Sequence, residues 1–429
     1  MSEPTFGPFT ASAAAALAGP AWLRTRRTAA AERAEAAGLP STDEEVWRYS
    51  RVADLDLGAY RPVADGSRPA EPTAAPVLAD VTTRAGTVVV VDGRIAHVEL
   101  DRRWVDRGVV LGALADAPDG ADALGSVAAR APDVFAELNT AYGTDPVLLR
   151  VPAGVTLDAP VVISHQVSAD GAATFPRLVV QAGADSEVAV VDHHGSTDVA
   201  ALVLPVIELD AGPAARLRYL HVQELGPRVW QIASQVSRVG QDATLVAASA
   251  ALGGDYARLR ADCRLEGRGA TGDLLSVYFG EDHQTLDFRT FQDHRAPDTT
   301  SNLLFKGAVG GHSRSVYTGL IRVRKEAHGT NAFQTNRNIK LSDHAWAESV
   351  PNLEIENNDV RCSHASAVGP IDPEQRFYLE SRGVPPEVAE RLVVAGFFAE
   401  VLAQFPIEAL APALAARISE KLERGYELS

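Results

Sequence analysis

The sequence predicts a mainly β protein, a β-solenoid flanked by α-helical regions at both ends. Three observations predict it. Between about residues 145 and 369, helical periodicity gives way to short β-branched runs separated by glycine-containing turns. Within that span Gly154, Gly183, Gly212, Gly240 and Gly269 recur at intervals of 29, 29, 28 and 29 residues. Helix signals dominate on both sides of it.

The elements follow in order. Residues 10–38 read as helical, dense in alanine with charges between, and stopped by Gly38 and Pro40. A short second helix is expected next, with Ser41 or Thr42 as its cap, Glu44 or Glu45 as the reciprocal partner, and Trp47 and Tyr49 within it. Residues 60–80, rich in Pro, Ala and Gly, read as a linker. The β-branched run 87–91, the Asp92-Gly93 turn signal and the returning run 95–100 predict a hairpin.

Strands are then expected at 147–151, 161–164, 178–181 and 188–191. A fixed period of this length, with strand, turn and strand in each unit, is the signature of a solenoid. A single unit cannot bury its apolar face, whereas a stack builds one continuous column. Five residues after Gly183, Gly212, Gly240, Gly269 and the next count, Asp298, stand Val188, Leu217, Leu245, Leu274 and Leu303. Seven after stand Val190, Tyr219, Ala247, Ser276 and Phe305. A β-sandwich is the rival reading, but it does not require one turn to recur every third strand. From Pro370 helices return, at about 372–382, 386–405 and 407–424. A bare terminal rung is an open sheet edge, so the helical regions are expected to cover the solenoid ends. The organisation is therefore 1–137 helical with a small hairpin, 138–369 solenoid and 370–429 helical.

Composition restricts function. The chain has 429 residues, 40 basic and 56 acidic, for a net charge of −16. That balance argues against nucleic acid, whose phosphates need a basic stripe. Two cysteines, Cys263 and Cys362, support neither a disulfide scaffold nor a self-contained four-cysteine site. Residues 1–20 lack the basic start of a signal peptide, and no run of 18 apolar residues suggests a membrane span. A cytoplasmic protein is expected.

Several groups bear on chemistry. His193-His194 are neighbours whose side chains would point to opposite faces of a strand, and they read as a turn or surface pair. The cluster from Gly307 to Gly311 reads as a turn. Glu354 with Glu356, and Asp282 with Gln284, are spaced as a carbohydrate-active β-helix enzyme would require, but no second acidic pair stands one rung away. Cys263 reads as structural. Cys362 and His364 lie two apart on a predicted strand and so share a face. A thiolate and an imidazole are ligands for iron or zinc, yet two make only half a site, which a partner chain would complete. In the 29-residue register Cys362 continues the column of Val188, Leu217, Leu245, Leu274 and Leu303, and His364 follows Tyr219 and Phe305. A cysteine there also suits the apolar core, so both roles stay open.

At this segment the sequence resembles a known family. Asn352-Leu353-Glu354-Ile355, Asn358-Asp359-Val360-Arg361-Cys362-Ser363-His364 and Val368-Gly369 resemble SufD-like chains of the SUF iron–sulfur cluster assembly machinery. The run from Glu374 to Gly383 is similar to a motif shared by SufB and SufD. Trp47-Arg48-Tyr49-Ser50, Leu138-Asn139-Thr140-Ala141-Tyr142 and Val151-Pro152-Ala153-Gly154-Val155 resemble the family's N-terminal motif and the start of its β-helix.

The resemblance implies a right-handed parallel β-helix and a non-enzymatic scaffold subunit. It implies a SufB-like partner through the β-helix, a SufC-like ABC ATPase docked on the C-terminal helices, and a homodimer as a further assembly. It implies His364 and, less firmly, Cys362 as ligands of a transient iron or iron–sulfur cluster shared with the partner; flavin is a further cofactor suggested for some members. A SufB-like paralogue is the alternative. SufB-like chains carry Glu-His-Glu where this chain has Ser363-His364-Ala365, and a cysteine on the preceding rung, where this chain reads Gln334-Thr335-Asn336-Arg337-Asn338. Ala365 stands where SufD-like chains often have glycine.

Overall fold

A computed structural model describes residues 6–63, 71–128 and 131–427. The expected linker lies partly outside these residues, at 64–70, as does the start of the expected leader-free N-terminus, at 1–5. Successive solenoid strands alternate between two sheets, of 12 and 10 strands among the described residues. Each strand pairs in parallel with the one a full repeat away, as Leu217 does with Val188 and Leu209 does with Val180. The parallel ladders settle the solenoid against the sandwich. Between the sheets runs a column of Val, Leu, Ile and aromatic side chains, from Val161 and Ile163 to Phe305 and Tyr317.

The five evenly spaced glycines occupy two neighbouring turn positions, not one. Gly183, Gly212, Gly240 and Gly267 stack on one another, and a Cβ on Gly267 would lie 1.9 Å from the Gln241 nitrogen. Gly154 and Gly269 belong to the adjoining left-handed position. Asp185, Ala214, Asp242, Asp298 and Gly329 also fill it, with φ between 54 and 73°. The repeat shortens where Thr244 pairs with Thr271, so Leu245 faces Gly272 and Ala247 faces Leu274. This corrects the predicted columns. Cys362 continues Leu245, Gly272, Ser301 and Ala332, whereas His364 continues Ala247, Leu274, Leu303 and Gln334.

The N-terminal end of the solenoid is closed. The hairpin Gly86–Val91 and Arg94–Leu100 forms as predicted, with Asp92 and Gly93 both at positive φ, and its first strand pairs with Val161–Val167. Val110–Ala113 runs antiparallel to Val147–Val151 and covers the other sheet. The expected 10–38 helix is two helices, Ala11–Ala16 and Ala21–Ala37, because Gly19 at φ 149° and Pro20 interrupt the backbone ladder. The second expected helix is only a 3-10 turn, Glu45–Trp47, although Ser41 N does donate to Glu44 Oε1 at 3.0 Å. The glycine cluster is only half a turn, since Gly307 lies inside the strand Thr300–Val309.

The C-terminal end is open, contrary to expectation. The helices Pro386–Leu402 and Ala411–Glu427 do not cover it. They fold back along the outer face of the 10-stranded sheet, where Val394, Phe398, Leu414, Ile418 and Leu422 join Leu220, Val222, Leu275, Val277 and Phe279 in one apolar cluster. That outer face is apolar at alternate positions of successive strands, so burying the helices there removes more apolar area than capping a single rung would.

Candidate functional site

The last strands of the two sheets, Trp346–Ile355 and Val360–Pro370, each pair on one side only. Their other edges present unpaired backbone N–H and C=O groups, which is a template for strand addition. Every residue of both strands is half-buried or exposed.

Cys362 and His364 lie on the second of these edges, opposite Ala332 and Gln334 of the preceding rung. Cys362 is half-buried in a small cluster with Ile321, Ala332, Leu353 and Val360, and burial raises its thiol pKa. His364 is exposed. The adjoining Gln334 is buried, and neither atom of its amide has a hydrogen-bond partner. Among the described residues, Cys362 and His364 gather no third His, Cys, Asp or Glu into a ligand group. The structure thus presents the two residues on one open edge, with no third ligand group beside them among the described residues.

Two family profiles span most of the chain: "SufBD protein N-terminal region" matches residues 12–163 and "SUF system FeS cluster assembly, SufBD core domain" matches residues 165–397. The chain belongs to the SufBD family. An iron–sulfur cluster assembly SufBD family protein of Mycobacterium tuberculosis is 34% identical over 394 residues, 90% of each chain. Iron–sulfur cluster assembly protein SufD of Bacillus subtilis is 28% identical over 422 residues, covering 94% of this chain and 95% of the relative. SufD of Escherichia coli is 27% identical over 401 residues, 90% of each. Membership places the chain in iron–sulfur cluster assembly by the SUF system and implies partner subunits in general.

The other SufBD motif positions have structural work in this chain. Trp47-Arg48-Tyr49-Ser50 is clipped to the solenoid wall. The Arg258 guanidinium sits 4.0 Å from the Trp47 ring centroid and donates to Val46 O at 2.6 Å, while Arg289 donates to Arg48 O. Both arginines are buried beside Asp287. Asn139 donates to Pro176 O and Leu204 O, both at 2.7 Å, and so ties two rungs together. The Glu374–Gly383 stretch forms the helix Pro373–Ser381, on which Phe377 and Tyr378 are 72% and 59% exposed. Leu392 on the following helix is also exposed.

The acidic pairs do not build a carbohydrate site. Glu354 and Glu356 both pair with Arg322, and Gln284 donates to Gly254 O. Cys263 is structural, 1% exposed, with its thiol pushed up to about 12 by burial. The reading of His193-His194 as a surface pair is wrong. Both are buried, and His194 faces into the solenoid beside Asp192 and His165. The signal was present as alternation, since positions 188, 190, 192 and 194 share the inward face of Glu187–Ser196. What brings His165 alongside is the pairing register, which local sequence does not display.

Proposed function

We propose that this chain is a SufD-like scaffold subunit that pairs with a SufB-like subunit across its open solenoid end and holds part of a nascent iron–sulfur cluster there. The observation that carries the reading is the pair of unprotected strand edges bearing Cys362 and His364. A soluble chain that leaves two edges of 10 and 11 residues bare invites pairing. A partner edge paired to both strands would satisfy their backbone groups and bring further ligands to the exposed imidazole. A neutral histidine is a borderline ligand suited to iron. The thiol of Cys362 has its pKa raised by burial, which favours the unreactive form, so the nucleophilic thiolate of sulfur transfer is assigned to the partner. The chain itself turns over no substrate in this reading, and it works in the cytoplasm.

The second part of the proposal is an ABC-type ATPase, SufC-like, docked near the C-terminal helices. The exposed apolar side chains of Phe377, Tyr378 and Leu392 support it. Co-purification identifies the partners: a SufB-like chain and an ABC ATPase are expected with the tagged wild type. Phe377→Ala/Tyr378→Ala should release the ATPase and keep the SufB-like chain. Retention of the ATPase at full strength refutes the docking surface. His364→Ala should lower the cluster yield of the complex in anaerobic reconstitution while its melting temperature stays put, and an unchanged yield refutes the ligand role.

A further inference from the structure

A second constellation lies inside the solenoid bore, far from the open end. His165, Asp192, His194, Tyr219 and His221 come from three adjacent strands of the 10-stranded sheet, with His165 paired to His194 and Asp192 to His221 in the ladder. All are at most 4% exposed. The His194 Nε2 to Asp192 Oδ1 distance is 3.1 Å, and the His165 Nε2 to the same oxygen is 3.6 Å. Tyr219 donates to Asp192 Oδ2 at 2.7 Å, and Gln231, from the opposite sheet, lies 3.4 Å from His194 Nδ1.

A plain hydrogen-bond network accounts for only part of this. His194 can donate to Asp192 through Nε2 and accept from Gln231 at Nδ1. That leaves His165 Nδ1 and both ring nitrogens of His221 buried with no hydrogen-bond partner. It also leaves the charge of Asp192 unmatched, since among the described residues no lysine or arginine pairs with it. A buried carboxylate beside ring nitrogens that have no partner lacks a cation.

The spacing suits one. Four ligands at about 2.0–2.1 Å from a tetrahedral ion stand about 3.3–3.4 Å apart. The separations of 3.1 and 3.6 Å lie on either side of that value, and the ligand atoms of His165, Asp192 and His194 all fall within 4.8 Å of one another. The His221 ring stands next to this group, 4.9 Å from that of His194 between centroids, with both its nitrogens unpartnered. Tyr219 on the second carboxylate oxygen and the Gln231 amide on His194, turned to present its oxygen, orient the ligands from outside. Imidazole-rich donors with one carboxylate select a borderline first-row ion over calcium or magnesium.

We propose that His165, Asp192 and His194, joined by the His221 ring as it turns toward them, form a buried site for one four-coordinate divalent ion of the zinc type, which ties together three rungs of the solenoid. Six inter-strand steps, about 29 Å at about 4.8 Å each, separate it from the strand of His364. It is therefore independent of the half-site there and does not rest on the SufD-like reading. The bore is closed around it, so the ion enters as the chain folds.

The test uses the full chain without a histidine tag, unfolded with chelator and refolded with or without Zn²⁺ or Co²⁺. One ion per chain is expected, with a raised melting temperature and, for Co²⁺, the visible absorption of a tetrahedral site. His165→Gln/His194→Gln should lose the ion and the absorption, whereas His364→Ala should keep both. X-ray absorption of the zinc-loaded wild type should show only nitrogen and oxygen neighbours at about 2.0 Å, a readout that does not depend on any variant folding. Natively refolded chain that binds no ion overturns the proposal. So does a sulfur neighbour at about 2.3 Å, which would move the ion to a cysteine, or an ion lost with His364→Ala and kept in the double variant.

Discussion

Replacing Glu208 by alanine tests how the N-terminal region is fastened to the solenoid. Glu208 is fully buried on the strand Val206–Ala211, and its carboxylate faces outward from the bore. It pairs with Arg177 of the preceding rung at 2.5 Å and accepts the backbone N–H groups of Gly125, Val127 and Ala128 at 2.9, 3.0 and 2.9 Å. Removing one partner of a buried ion pair costs about 3–5 kcal/mol, because the other charge stays buried without it. Arg177 keeps only contacts of 3.3 and 3.4 Å, to Asn139 and Thr140, and two of the freed N–H groups are themselves buried. A loss of about 4 kcal/mol is therefore expected for Glu208→Ala, and roughly half for Glu208→Gln, which can still accept from the backbone. Burial opposes the charge of Glu208, but Arg177 and the N–H groups of Ala128 and Val127 outweigh it and hold the carboxyl below its ordinary value. The stabilisation is thus present above the unfolded-state pKa and fades as pH falls through the folded one, so the deficit of the variant should shrink in acid. Hydrogen exchange at Val127 and Ala128, beside urea unfolding at pH 7, is the assay. A loss below about 1 kcal/mol with unchanged protection at those amides would refute the reasoning.

Three further outcomes are expected. Gly307→Ala would set a Cβ 1.9 Å from the Tyr278 ring, whose hydroxyl is held by Asn336 and Asn338, so a loss of about 1–3 kcal/mol and a changed near-UV circular dichroism spectrum should follow; a stability unchanged within error would contradict the packing. Lys306 reaches out to Phe397 O at 2.9 Å and Glu400 at 2.5 Å, so Lys306→Met should loosen the helix Pro386–Leu402, read as faster exchange of its amides, and undiminished protection would count against the clamp. Both thiols have pKa values raised by burial, hence less thiolate at a given pH. Iodoacetamide at pH 8, followed by mass spectrometry, should label Cys362 more slowly than a free thiol and Cys263 only after unfolding, and rapid labelling of Cys263 in the native chain would contradict its burial.

Much of the site was legible in the sequence. Cys362 and His364 share a strand face by alternation alone, and as candidate ligands they already lacked a third group nearby in the sequence. The register of the repeat was legible to within a few residues, and it failed at the strand Thr271–Gly280. There a turn shortened by two residues shifted both columns, so that His364 falls in line with Leu274 and Leu303 and Cys362 with Gly272 and Ser301. A slip of two keeps every side chain on its face, so the hydrophobic pattern carries no trace of it.

Local chemistry determined the class of the fold. The periodic turns, the Asp92-Gly93 hairpin and the β-branched runs fix φ and face residue by residue, and these need no knowledge of distant partners. The tertiary structure decided what depends on contact between distant segments. It placed the C-terminal helices on the flank of the sheet instead of over its end, because the larger apolar area lies on the flank. That choice is what leaves the edge of Cys362 and His364 exposed. It also brought His165 to Asp192 and His194, a meeting set by parallel pairing across a full repeat.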